Sequence, residues 1–219
     1  MKERVEIIRK ELVSWKHEEM NKTLEGEEVL KISLSWPELN SKALRGANRY
    51  YSRLRDAWKR QWERDLYIRS CVDLSEKRVQ SYPFTPWSAT LQGHVALEDE
   101  RLLSIVMEAR QVHGDGQTLA CRWGDTWRLE DGMPVGLREL FPKGRGWKKR
   151  LRRDLAEALE QCRGRGIRLE PVTRGTWKKC LVSGRFAVTG DQILLYVPQG
   201  SIAPEEEGVV ELALPRPGA

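Results

Sequence analysis

The chain is expected to be an α+β protein, in which a small strand–helix module precedes an antiparallel sheet with one crossing helix. Three observations carry that expectation. Apolar residues recur at spacings of three and four over the first third of the 219 residues and once more near residue 150. Between residues 87 and 129, and again after 185, they alternate instead. The two textures meet at Ser81-Tyr82-Pro83-Phe84-Thr85-Pro86, a segment that suits neither helix nor strand.

Residues 1–25 are expected to form an amphipathic helix, because Val5, Ile8, Leu12 and Trp15 fall on one helical face between charges. Glu25-Gly26-Glu27 ends it. The module of residues 26–82 begins with a half-buried strand, in which Leu30, Ile32 and Leu34 alternate with Lys31, Ser33 and Ser35. A long helix follows. Asn40 or Ser41 can cap it, and Leu44, Ala47, Tyr51, Leu54, Trp58 and Trp62 mark its buried stripe to about Cys71.

Residues 83–215 are expected to hold the sheet. Trp87, Ala89, Leu91, Val95 and Leu97 form one inward face, and Leu103, Ile105, Met107 and Ala109 the next. The turn His113-Gly114-Asp115-Gly116 leads to a strand near Leu119–Trp123, and a short strand at Trp127 and Leu129 closes at Asp131-Gly132. The crossing helix covers about 147–163, with Trp147, Leu151, Leu155, Leu159 and Cys162 on its apolar face. Strands at 185–189, 193–197 and near 209–214 complete the chain, and residues 216–219 form a loose tail.

Several of these segments share their order with one family. Asp125-Thr126-Trp127-Arg128-Leu129-Glu130-Asp131-Gly132 followed by Leu137-Arg138-Glu139-Leu140-Phe141, the hairpin from Phe186 to Val197, and Ile202-Ala203-Pro204 with Gly208 and the apolar run to Pro215 resemble the RsiV-type domain of unknown function. That domain is found in the anti-sigma factor RsiV and fused to peptidoglycan deacetylases. The resemblance covers about residues 85–215, and residues 28–80 resemble the module that precedes it, with Asn48 at the family's helix asparagine. It implies non-catalytic binding or sensing of a protein or cell-wall component. His113-Gly114 match the family's glycine-rich turn, but Gln111 and Val112 replace its preceding glycines. No transmembrane segment or sigma-binding tail is read here, so anti-sigma activity is not carried over.

The residues themselves exclude several chemistries. His17, His94 and His113 show no paired spacing, and Cys71, Cys121, Cys162 and Cys180 form no CxxC, so neither a metal nor another cofactor is expected. No GxSxG elbow or phosphate-binding glycine loop occurs, and no catalytic residue is assigned. An uncharacterised hydrolase using His94 and His113 is kept as a remote alternative. No secretory signal or membrane span is legible, which points to a cytoplasmic protein.

The net charge of +6 is unevenly spread, for residues 143–185 contain fourteen Lys or Arg against four acids. Lys143, Arg145, Gly146, Lys148, Lys149 and Arg152 gather at the start of the crossing helix, where the helix dipole disfavours cations. They form a candidate anion site. Trp123 and Trp177 are the two of nine tryptophans expected to be exposed, and with His94 and His113 they are candidate ligand contacts. Trp177 lies in a basic segment suited to stacking on bases or sugars. The expected partner is a protein or an anionic polymer, with nucleic acid as an alternative reached through the basic 143–185 region.

Overall fold

The structure, a computed structural model, describes residues 11–142, 146–181 and 186–218. It is α+β, with a five-stranded sheet ordered β1-β2-β3-β4-β5 and a three-stranded sheet ordered β6-β7-β8. β1 (Val13–Leu24) and β2 (Glu27–Leu39) form an antiparallel hairpin turning at Glu25 and Gly26, both with positive φ. α1 (Arg45–Gln61), a π-helical turn (Trp62–Leu66) and α2 (Tyr67–Gln80) then cross one face of the sheet. β3 (Trp87–Glu98) returns parallel to β2, as a helical crossover allows, and β4 (Leu102–Val112) and β5 (Thr118–Arg128) follow antiparallel.

The chain next forms α3 (Trp147–Gly164) and α4 (Arg174–Cys180). The second sheet consists of β6 (Phe186–Val188), β7 (Gln192–Val197) and β8 (Val210–Pro215). Four layers result. α1 and α2 cover the inward face of the first sheet through Leu30, Ile32, Leu34, Tyr51, Trp62, Leu91, Ile105, Met107 and Trp123. Behind that sheet, Val106 meets Ala187 and Tyr196 of the second. The far face of the second sheet buries Leu151, Leu155, Leu159 and Cys162 of α3.

The N-terminal helix expected over residues 1–25 is not present from residue 13 onward, where the chain is strand; residues 1–10 lie outside the described part. The alternation in β1 is masked because two inward positions are charged. Glu18 pairs with Lys59 of α1, and Lys22 Nζ lies 2.8 Å from Glu63 Oε1. The expected boundary near residue 82 divides no sheet, because β3 pairs directly with β2 across it. The single antiparallel sheet expected for 83–215 is two sheets, and the strands read near 119–123 and 127–129 are one strand, β5. A bulge between Val95 and Leu97 turns Leu97 away from the first core and onto the second.

The helix start also differs. Leu44 occupies the cap position of α1 without a side-chain bond, and Asn40 instead donates to Glu11 O (3.0 Å). The helical path continues past Cys71 to Gln80. No helix among the described residues is long and apolar enough to cross a membrane.

Candidate functional site: a basic groove

The start of α3 has no capping side chain and no acid in its first turn. Its cations divide into two sets. Arg153 donates to Asp154 Oδ1 (2.9 Å) and reaches Glu157, and Arg150 Nε lies 3.5 Å from Asp154 Oδ2, an ion contact without hydrogen-bond geometry. Asp154 is buried, so this face is neutralised against the second core. Lys148, Lys149 and Arg152 are exposed and form no ion pair among the described residues. Lys148 and Arg152, four residues apart, share one helical face. Gly146 precedes the helix, and Lys143 and Arg145 lie outside the described residues.

Of this set, Arg152 lines a cavity together with residues of α4 and the turn before it. Thr173 caps α4, accepting from Gly175 N at 3.2 Å and Thr176 N at 3.4 Å, while Thr176 Oγ1 accepts from Thr173 N at 2.9 Å. This reciprocal bonding satisfies amides that a helix otherwise leaves unpaired. Lys179 is drawn away by Ser201 O and Glu170, and Glu170 N donates to Ile202 O at 2.8 Å. Lys178 is left exposed without an ion pair among the described residues.

Between the helices lies a cavity of about 860 Å³ lined by Arg152, Val172, Thr173, Trp177, Lys178 and Leu181. Arg152 and Trp177, candidates from two separate stretches of sequence, therefore meet in one groove. Among the described residues, its lining holds two cations, three apolar side chains and no carboxylate. A cavity of about 760 Å³ near Glu100 and Arg128 lacks this bias, because Arg128 is paired with Asp131 and Glu139.

The remaining candidates do not join the groove. His94 is exposed on β3 opposite Val106, on the face turned to the second sheet. His113 follows β4 on the opposite, helix-covered face and stacks on Trp87 at 4.1 Å between ring centroids. The two histidines also lie roughly 20 Å apart along the strand direction, so they do not converge. Trp123, expected to be exposed, is buried and stacks on Trp58 at 6.5 Å. Its position in β5 points into the first core, where the spacing of Cys121, Trp123 and Trp127 places it.

Two buried polar clusters were not foreseen. Trp87 Nε1 donates to Asp73 Oδ2 (2.8 Å), and the Nε2 of the stacked His113 has no hydrogen-bond partner among the described residues. Burial, and then the Arg69 cation, lower the His113 pKa and favour the neutral ring. The second cluster centres on Asp125. Tyr50 Oη donates to its Oδ1 at 3.2 Å, Oδ2 is buried without a hydrogen-bond partner among the described residues, and Trp123 Nε1 approaches without hydrogen-bond geometry. Burial outweighs these polar neighbours and pushes the Asp125 carboxyl up to about 7. The signal was present in the sequence, since alternation along β5 sets Asp125 inward between Trp123 and Trp127. No group of three metal-ligating side chains gathers among the described residues.

The four-layer arrangement is similar to two crystal structures. One is a DUF3298 family member from Bacteroides fragilis, with a TM-score of 0.58 and 15% identity over 93% of this chain and 90% of that one. The likeness is one of fold. The other is a DUF3298 family protein from Pseudomonas aeruginosa, with a TM-score of 0.52 and 15% identity over 93% of this chain and 89% of that one. No protein-family model matches the sequence, and no curated protein matches it.

Proposed function

We propose that the chain is a non-catalytic binding protein, of the sensing kind implied by its resemblance to the RsiV-type domain. The groove between α3 and α4 receives an acidic segment of a protein partner. The observation that carries this reading is the convergence of Arg152, Lys178 and Trp177 in a lining that, among the described residues, holds no carboxylate. Val172, Trp177 and Leu181 suit the apolar side chains of a polypeptide, while the cations suit its acids. Lys148 extends the positive edge along the same face of α3. The separation of His94 from His113 favours binding over hydrolysis.

The basic rim together with Trp177 also favours a second reading, in which the groove takes a single-stranded nucleic acid by stacking and phosphate contact. Fluorescence anisotropy distinguishes the two. The probes are a random Glu/Phe copolymer and an oligonucleotide of matched charge, each titrated over a salt series. The copolymer is expected to bind more tightly, and Arg152→Glu with Lys178→Glu to weaken it by at least about tenfold. Tighter oligonucleotide binding with a steep salt slope would support the second reading instead. If neither probe binds, or the double variant binds both as the parent does, the groove is not the site.

A further inference from the structure

The six large apolar side chains that stand exposed among the described residues are unevenly placed. Ile68, Val72 and Val79 lie on α2, at 57%, 51% and 87% exposure, and Tyr82 lies just beyond its cap residue Ser81. The spacing from Ile68 to Val72, Ser75 and Val79 is four, three and four residues, so they form one stripe along the outer face. Ser75 does not interrupt it with a free hydroxyl, because its Oγ donates to Cys71 O at 2.9 Å. The inward face of α2, with Ser70 and Leu74, is separately buried on the sheet. α2 is thus apolar on two sides, and among the described residues only one has a partner.

We propose that this outer stripe is the interface of a two-fold symmetric dimer, with α2 of one copy antiparallel to α2 of the other. The stripe is complementary to itself. In a register centred between Asp73 and Leu74, Ile68 faces Val79 of the second copy and Val72 faces its Ser75, and symmetry repeats both contacts. The small serine opposite a valine permits close approach of the two helices. The charges beside the stripe agree with this register. Arg69 and Glu76 are both exposed, lie on the same flank one heptad apart, and have opposite signs. Antiparallel pairing brings like flanks together, so Arg69 of each copy lies near Glu76 of the other. A parallel arrangement would not offer that exchange at the same level. The interface is independent of the groove between α3 and α4, which lies on the far sheet.

Sedimentation velocity of the full chain, from low micromolar to near-millimolar concentration, tests the proposal. The expected result is a concentration-dependent shift from one toward twice the chain mass of 25.4 kDa. Val79→Lys changes the most exposed stripe residue, which no fold contact requires, and is expected to hold the chain monomeric over the same range. Arg69→Glu alone and Glu76→Arg alone are each expected to weaken association, and the combined exchange to restore it. A monomer at every concentration overturns the proposal. So does dimerisation of Val79→Lys equal to that of the parent, or a combined exchange no better than either single change.

Discussion

The side chain of Asn48 in α1 binds both backbone groups of Leu39 at the end of β2. Asn48 Oδ1 accepts from Leu39 N at 2.8 Å, and Asn48 Nδ2 donates to Leu39 O at 2.9 Å. The carboxamide thereby acts as a one-residue strand at a point where β2 is leaving the parallel pairing with β3, which ends at Leu34. Leu39 is itself buried, so water is a poor substitute partner. Asn48→Ala is expected to destabilise the chain by about 1–3 kcal/mol, the cost of leaving partly buried groups unpaired. Asn48→Asp keeps the acceptor but sets a carboxylate against Leu39 O. It should be no better than alanine at neutral pH and should recover stability in acid. Urea unfolding at two pH values checks both expectations.

The turn after β5 provides a second test. Gly132 has φ of +69°, and a Cβ there would lie 2.0 Å from Ala43 O, in the segment that leads into α1. The turn is otherwise well tied, since Asp131 Oδ1 accepts from Met133 N at 3.0 Å and Gly132 N donates to Arg128 O at 2.8 Å. A side chain at Gly132 therefore meets both an unfavourable φ and fixed backbone. Gly132→Ala is expected to cost more than the ~1 kcal/mol of a simple left-handed turn residue, and Gly132→Val more again. Thermal unfolding of the two variants would refute this if either melted with the parent chain.

The legible parts of the fold are those in which one residue pattern meets one environment. Leu103, Ile105, Met107 and Ala109 alternate on a strand with a single buried face, and Leu151, Leu155 and Leu159 repeat on a helix with one. β1 was illegible because Glu18 and Lys22 take inward places, and their partners Lys59 and Glu63 are supplied some forty residues later. Pairing of β2 with β3, and division into two sheets, depend on contacts that no local pattern encodes. At the groove, Arg152 and Trp177 were each visible as unusual residues, but their meeting depends on the packing of α3 and α4. Trp123, expected to be exposed, is buried because its place in the alternation of β5 turns it into the first core.

Contact between the two sheets rests on a close approach at Gly124. A Cβ on this residue would lie 2.3 Å from Phe186 O, so the backbone of β6 passes directly over β5. Beside it, Ser104 Oγ and Thr126 Oγ1 are bonded at 3.0 Å, and Ser104 Oγ accepts from Val188 N at 2.9 Å. Gly124→Ala is expected to force the sheets apart, to break the Val188 bond and to lower stability by ~2 kcal/mol or more. Hydrogen exchange should show the Val188 amide losing protection while amides of the β1–β2 hairpin keep theirs. Uniform loss across both sheets would mean that they unfold as one unit.

The buried groups Asp125 and His113 are expected to shape the pH dependence of stability in opposite directions. Burial raises Asp125 from 3.8 to about 7, so the folded chain holds this proton more tightly than the unfolded chain does. The resulting stabilisation is complete below about pH 4, declines as the pH rises through about 7, and is absent above it. His113 is lowered beneath 6.5, first by burial and then by Arg69. Its contribution is present above about pH 6.5 and is lost as the pH falls through the lowered value. Asp125→Asn keeps an acceptor for Tyr50 Oη without the charge. It should equal the parent near pH 4 and exceed it near pH 8 by up to about 4 kcal/mol. His113→Phe keeps a ring against Trp87 and should flatten the acid limb instead. Stability measured by denaturant unfolding between about pH 4 and 8 separates the two groups. If Asp125→Asn shows the same slope as the parent from pH 4 to 7, the Asp125 carboxyl is ionised in the folded chain throughout, and Tyr50 with its polar neighbours outweighs burial.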